Sequence, residues 1–157
     1  MHRFSVTVPV APNSVMTNTP DPIYLHLKPG AEPIDIPALS PYLAVIVIEA
    51  DVTPEWRSMI SKWLANSGCL CMLAWGPECS LWDDSVDWAN IEQFDYMPIP
   101  DDSFILTYWF SDDNLEDVFE FAKFTVKHPT IEFMHTVLLH ISNQNDEAIL
   151  LKKYADA

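Results

Sequence analysis

Three features of the sequence predict an α/β fold with a largely parallel sheet. From Tyr42 onward, apolar runs of strand length alternate with stretches of helical periodicity. The junctions carry helix-start residues, among them Thr53-Pro54, Ser80 and Asp113. The apolar runs are nearly unbroken, as expected for strands covered on both faces. Such alternation favours right-handed crossovers with helices on both sides of the sheet. The expected architecture is a three-layer sandwich of about four mostly parallel strands, flavodoxin-like or Rossmann-like. Residues 1–41 are expected to form a proline-rich extended arm packed on an α/β domain of residues 42–157.

The arm holds Pro9, Pro12, Pro20, Pro22, Pro29, Pro33, Pro37 and Pro41, eight of the thirteen prolines. Proline fixes φ and removes a donor, so no continuous helix fits there. Phe4–Val8 and Ile23–Leu27 alternate as short strands, the latter followed by a Lys28-Pro29-Gly30 turn. The arm is expected to add an antiparallel edge strand and to have a mobile tip near residues 11 to 21.

Tyr42–Ile48 is the first buried strand of the body. Thr53 fits the N-cap and Pro54 the first position of a helix. Its apolar stripe is Trp56, Met59, Ile60, Trp63 and Leu64, and Gly68 closes it. Cys69–Trp75 repeats the buried strand. Ser80, with Asp83 three residues on, approximates a capping box. Leu81, Trp82, Val86, Trp88, Ala89 and Ile91 give the following helix its apolar side. Phe104–Phe110 is the third strand. Asp113 and Glu116 have capping-box spacing ahead of the stripe Leu115, Val118, Phe119, Ala122 and Val126. Thr136–Ile141 is the fourth strand, and a helix capped near Asn145 follows.

The bulk numbers narrow the function classes. A chain of 157 residues with 49% apolar residues fits one globular domain. Its formal net charge of -15 disfavours direct contact with nucleic acid or anionic membrane and favours basic partners. The sparse cysteines, Cys69, Cys71 and Cys79, suit a reducing compartment. No signal-peptide pattern opens the chain and no apolar run reaches membrane-spanning length, so a cytoplasmic protein is expected.

In a parallel sheet, ligands favour the carboxyl ends of the strands. The residues placed there are Glu49 and Asp51, Trp75 to Ser80, Ser111 to Asp113, and His140 with Ser142. Asp112, Asp113 and Ser80 are also ordinary helix-cap residues. Cys79 beside a helix start is the best nucleophile candidate, and Cys79, Asp112 and His140 are weak candidates for a catalytic set. Glu78, Asp83 and Asp84 oppose thiolate formation. A free cysteine is more often a small buried hydrophobe. Cys69 and Cys71, two apart in a strand, are expected to share one face as core residues. With three glycines in the chain, both phosphate-loop and dinucleotide fingerprints are absent, so no cofactor is expected. Asp83, Asp84 and Asp87 cluster at helical spacing. They fit a cation site less well than a favourable acidic first turn, so no metal is expected.

Charge distribution is the most informative feature. No Lys or Arg occurs from Trp63 through Ala122, while thirteen acids lie between Gly76 and Glu120. Trp82, Trp88, Tyr96 and Trp109 are interspersed with them. Aromatics among carboxylates suit a docking face for a basic protein, and a solvated acidic surface is the competing reading. The partner-binding residues expected are Glu78, Trp82, Asp83, Asp84, Asp87, Asp112 and Asp113. The leading expectation is a small binding protein of the immunity-protein or antitoxin kind. The alternatives are a small enzyme or ligand-binding domain around Cys79, Asp112 and His140, and a nucleic-acid mimic. The block Trp75–Trp88 (WGPECSLWDDSVDW), with Phe121-Ala122-Lys123 and His128-Pro129-Thr130, resembles small bacterial proteins grouped as a domain of unknown function, over about residues 42 to 142. That resemblance implies a bacterial cytosolic origin and assigns no activity.

Overall fold

Five strands form one fully parallel sheet in the computed structural model, which describes residues 21–157. They are β1 (Ile23–Leu27), β2 (Tyr42–Ile48), β3 (Cys69–Trp75), β4 (Leu106–Phe110) and β5 (His135–Ile141), in the order β1-β5-β2-β3-β4. The helices are α1 (Pro54–Asn66), α2 (Cys79–Gln93), α3 (Leu115–Phe124) and α4 (Glu147–Asp156). The expected strand at Phe4–Val8 and nearly all of the tip at residues 11 to 21 lie outside the described residues.

Two expectations about the arm are corrected. The sheet has five strands rather than four, and the added edge strand is parallel rather than antiparallel. β1 pairs with β5 from Ile23↔Val137 to Leu27↔Ile141. The proline-free interval between Pro22 and Pro29 is long enough for one strand, and it needs a partner on one side only. After β1, Ala31 N–H closes a turn on the Lys28 carbonyl at 3.0 Å, with Gly30 at a φ of 87°. The chain then crosses over the α1 side of the sheet. The indole N–H groups of Trp56 and Trp63 hold it by donating to the Ala31 and Ile34 carbonyls at 2.9 and 2.8 Å. Residues 23–41 are thus built into the sheet and one of its helical layers.

The two faces have separate cores. On one, α1 and α2 bring Trp56, Ile60, Leu64, Trp82 and Val86 against Ala44, Ile46, Met72, Ala74 and Leu139. On the other, α3 and α4 bring Val118, Phe119, Leu150 and Tyr154 against Val45, Val47, Leu73 and Leu138. This is a three-layer sandwich, and β2, with all seven residues buried, runs through its middle. Strand residues alternate between the two faces. The exception is at the start of β3, where Tyr42↔Cys69 is followed by Leu43↔Cys71 and Leu70 is skipped. The irregularity turns Cys69 to the α1–α2 face and Cys71 to the α3–α4 face. The expectation that they share a face fails because an extra residue resets the period of two. Burial pushes the Cys69 thiol up to about 12 and raises Cys71 well above the usual range, so both are core thiols.

The α1 boundaries follow the sequence: Thr53 Oγ1 accepts the Trp56 N–H at 3.1 Å and Gly68, at φ 99°, ends the helix. Two other caps differ. α2 starts at Cys79, so Ser80 lies inside it, and the N-cap is Glu78 in the left-handed region. α3 is capped by Asn114, whose Oδ1 accepts the Asp117 N–H at 2.9 Å, rather than by Asp113.

Candidate functional site

Gly76 makes the β3–α2 turn possible. Its φ is 115°, and a Cβ there would lie 2.2 Å from the Ile48 carbonyl oxygen. The turn sends α2 back antiparallel to the strands, along the β3–β4 side of the sheet. Two hydrogen bonds set α2 against β4. Ile105 N–H donates to Asn90 Oδ1 at 2.9 Å, and Thr107 Oγ1 donates to Asp87 Oδ1 at 2.9 Å.

This register places the aromatics. Trp109 is two residues past Thr107, on the same strand face and about 6.6 Å further along. One helical turn from Asp87 towards the α2 N-terminus, about 5.4 Å, reaches Asp83 and Asp84. Trp109, 47% exposed, is therefore displaced from the Thr107–Asp87 bond in the same direction as those carboxylates, and Trp88, 57% exposed, follows Asp87 on α2. A cleft of about 430 Å³ between α2 and β4 is lined by Asp87, Ile91, Ile99, Phe104 and Thr107. Phe104, Tyr96 and Met97 are exposed on the segment leading from α2 to β4. Among the described residues β4 pairs only with β3, so its outer row of backbone groups is open.

The electrostatics of the edge are one-sided. Burial, then the Asp83 and Asp84 charges, raise the Asp87 carboxyl above its ordinary range, against the lowering effect of the Thr107 hydroxyl. Among the described residues no lysine or arginine forms an ion pair with Asp83, Asp84 or Asp87. Glu92 meets Lys62 at 3.5 Å, and Glu116 meets Lys153 at 2.9 Å.

The other expected docking residues divide by burial. Glu78, Asp84, Asp112 and Asp113 are exposed and Asp83 and Asp87 half-buried. The loop after β4 joins the same end of the sheet, because the Trp75 indole N–H donates to the Asp113 carbonyl at 2.7 Å. Trp82 does not belong to the surface. It is 1% exposed and packs edge-on against Trp56, with ring centroids 6.4 Å apart. Its helical position faces the sheet, and Trp88 and Trp109 take the surface part it was expected to play.

Cys79, Asp112 and His140 are not brought together. Cys79 is buried in the α1–α2 core. His140 alternates with Leu139 and Ile141 and so faces the α3–α4 side, with two strands between β5 and β4. Both ring nitrogens of His140 are engaged elsewhere: Nδ1 with the Tyr24 hydroxyl and Nε2 with Glu49 Oε1, each at 2.7 Å. The Tyr24 oxygen also accepts the Asp146 N–H at 3.0 Å. Nearby, His26 Nε2 donates to the Ser142 carbonyl at 2.8 Å. Glu49 and His140 were legible as strand-end residues. Tyr24 and His26 were not, because their strand lies in the proline-rich arm and no local pattern ties residue 24 to residue 140.

Among the described residues no helix is long and apolar enough to cross a membrane. Comparisons with curated proteins and with solved structures return no match. A family model described as a domain of unknown function, DUF7684, matches residues 22–157, from β1 through α4. The chain belongs to that family.

Proposed function

We propose that this chain is a small cytoplasmic binding protein that docks a basic protein on its α2–β4 edge, as an immunity protein or antitoxin docks a toxin. The observation that carries the reading is the placement of exposed Trp88, Phe104 and Trp109 near carboxylates that meet no lysine or arginine among the described residues, beside an open edge strand. Aromatic side chains supply large contact area when buried between partners. The carboxylates repel one another in the isolated fold, and a cationic surface relieves that repulsion and accelerates encounter. Three free thiols support a reducing compartment. Counted from β2, the strand order runs 3-2-1-4, which supports a Rossmann-like reading of the sheet. Without a glycine-rich first turn, that likeness carries no nucleotide with it.

The test is co-purification from the source cell at about 50 mM and 500 mM salt, beside the Trp88→Ala/Trp109→Ala variant. A basic partner lost both at high salt and on the double substitution supports the proposal. A partner indifferent to both, or none, refutes it. Displacement of that partner by DNA would favour nucleic-acid mimicry instead. The ligand-binding alternative retains His140, now with Glu49 and Tyr24, and loses Cys79 and Asp112.

A further inference from the structure

We propose that Glu49, His140 and Asp146 form a binding site for a divalent transition-metal cation, with Tyr24 as the residue that orients the imidazole. The site is distinct from the α2–β4 edge. From β2 the chain steps outward to β3 and β4, then returns to β5 on the other side of β2. The crevice at the carboxyl ends of β2 and β5 is therefore where the strand order reverses, the usual location of a ligand in an open parallel sheet. Glu49 follows β2, His140 is near the end of β5, and Asp146 immediately precedes α4. One ligand atom from each lies within 4.8 Å of the others.

Each of the three donors is prepared in a different way. The His140 side chain is 0% exposed, a position where an apolar residue would avoid the cost of burying a polar ring. In the metal-free chain Nε2 donates a proton to Glu49 Oε1 at 2.7 Å; a cation taking that proton's place leaves the ring proton on Nδ1, donated to the Tyr24 oxygen. An outer-shell bond of this kind fixes the tautomer of a metal-binding histidine. Asp146 occupies the N-cap position of α4 but its side chain makes no capping bond. Asn145 Oδ1 performs that role by accepting the Glu147 N–H at 3.0 Å, which leaves the Asp146 carboxylate for another partner. Among the described residues neither Glu49 nor Asp146 has a lysine or arginine partner.

The donor chemistry selects the cation. One imidazole and two carboxylates suit Zn²⁺, Mn²⁺ or Fe²⁺ better than Mg²⁺ or Ca²⁺, which prefer oxygen alone. Ligands about 2.0–2.1 Å from a tetrahedral ion stand about 3.3 Å apart, so the 2.7 Å His140–Glu49 contact opens slightly on binding. Glu49, with its side chain 44% exposed, has room to move outward.

The test uses the full chain stripped with a chelator, then titrated calorimetrically with Zn²⁺ and, separately, Mn²⁺. The expected result is one saturable site for at least one of the two ions and a higher Tm in its presence. Glu49→Gln and Asp146→Asn should each lower affinity about tenfold or more, with the metal-free Tm retained as the check on folding. Tyr24→Phe should weaken binding without abolishing it. Because His140→Gln alters a buried residue, the two carboxylate variants decide. No saturable binding of either ion to the parent chain overturns the site, as does parent-like affinity in either carboxylate variant.

Discussion

Asn90 is the side chain whose removal should most clearly separate helix α2 from the segment that presents Phe104. It is 2% exposed, and its amide makes bonds in both directions. Oδ1 accepts the buried Ile105 N–H at 2.9 Å, while Nδ2 donates to the Ser103 carbonyl at 3.1 Å and to Gln93 Oε1 at 3.2 Å. Asn90→Ala leaves the Ile105 N–H without a partner at the entrance to β4. An unsatisfied buried donor costs about 1–3 kcal/mol, and the bond lost at the half-buried Ser103 adds about 0.5–1.5 kcal/mol. The expected loss is therefore about 1.5–4.5 kcal/mol, or a Tm lower by roughly 3–18 °C for a chain of this size. Urea unfolding followed by tryptophan fluorescence measures it, with an unchanged m value marking a native-state effect. Asn90→Asp supplies a control. It keeps the acceptor for Ile105 but turns the donor towards Ser103 into a carboxylate oxygen, so it should also destabilise. If Asn90→Ala lies within about 0.5 kcal/mol of the parent, a range typical of surface changes, the bonds do not hold the segment and the reasoning fails.

Further expectations follow from the same geometry. Gly76→Ala should destabilise by about 2–5 kcal/mol, from its positive φ and the contact with the Ile48 carbonyl. Gly30→Ala, with positive φ but nothing within 4 Å, should cost only about 1–2 kcal/mol in the same denaturation assay. Glu78→Gly should stabilise by about 0.5–1 kcal/mol by relieving a left-handed N-cap at φ 59°; a loss would mean that the side chain contributes more than the strain costs. Asp87→Asn should stabilise at neutral pH by about 0.4–1 kcal/mol, because it removes two like-charge pairs while Thr107 keeps an acceptor. The folded-state pKa of Asp87 is raised, so the folded chain holds its proton longer than the unfolded chain. The parent is therefore favoured below the ordinary aspartate value of 3.8 and loses that contribution as pH rises through the higher folded value. The gain in Tm from Asp87→Asn should grow across that interval, and a gain independent of pH would refute this account.

The parallel sheet was legible because both of its faces are covered, which leaves long apolar runs such as Tyr42–Ile48. Thr53-Pro54 and Gly68 marked α1 because their backbone requirements are local. The cap of α2 lies two residues before the expected Ser80, and that of α3 one residue after Asp113. Several cap-competent side chains stand in a row there, and only the turn geometry chooses among Asp112, Asp113 and Asn114. The acidic stretch was visible as charge, but burial depends on helical phase, so Trp82 and Trp88 could not be told apart until α2 was seen against the sheet. The His140 constellation was the least legible part. Its members come from β1, β2, β5 and the start of α4, and no periodicity links them.

The pairing of β1 with β5 has a consequence for how the chain is made. Tyr24 and His140 are hydrogen-bonded although 116 positions separate them. At translation rates of about 5–20 residues per second, Tyr24 is synthesised some 6–23 seconds before His140. During that interval β1 has no β5 edge to join and must wait on the ribosome as an unpaired segment, open to chaperones. A nascent or prematurely terminated chain that stops short of β5 can form neither the β1 edge nor the pocket beside it. The Tyr24–His140 contact is thus acquired only when the two ends of the chain have met.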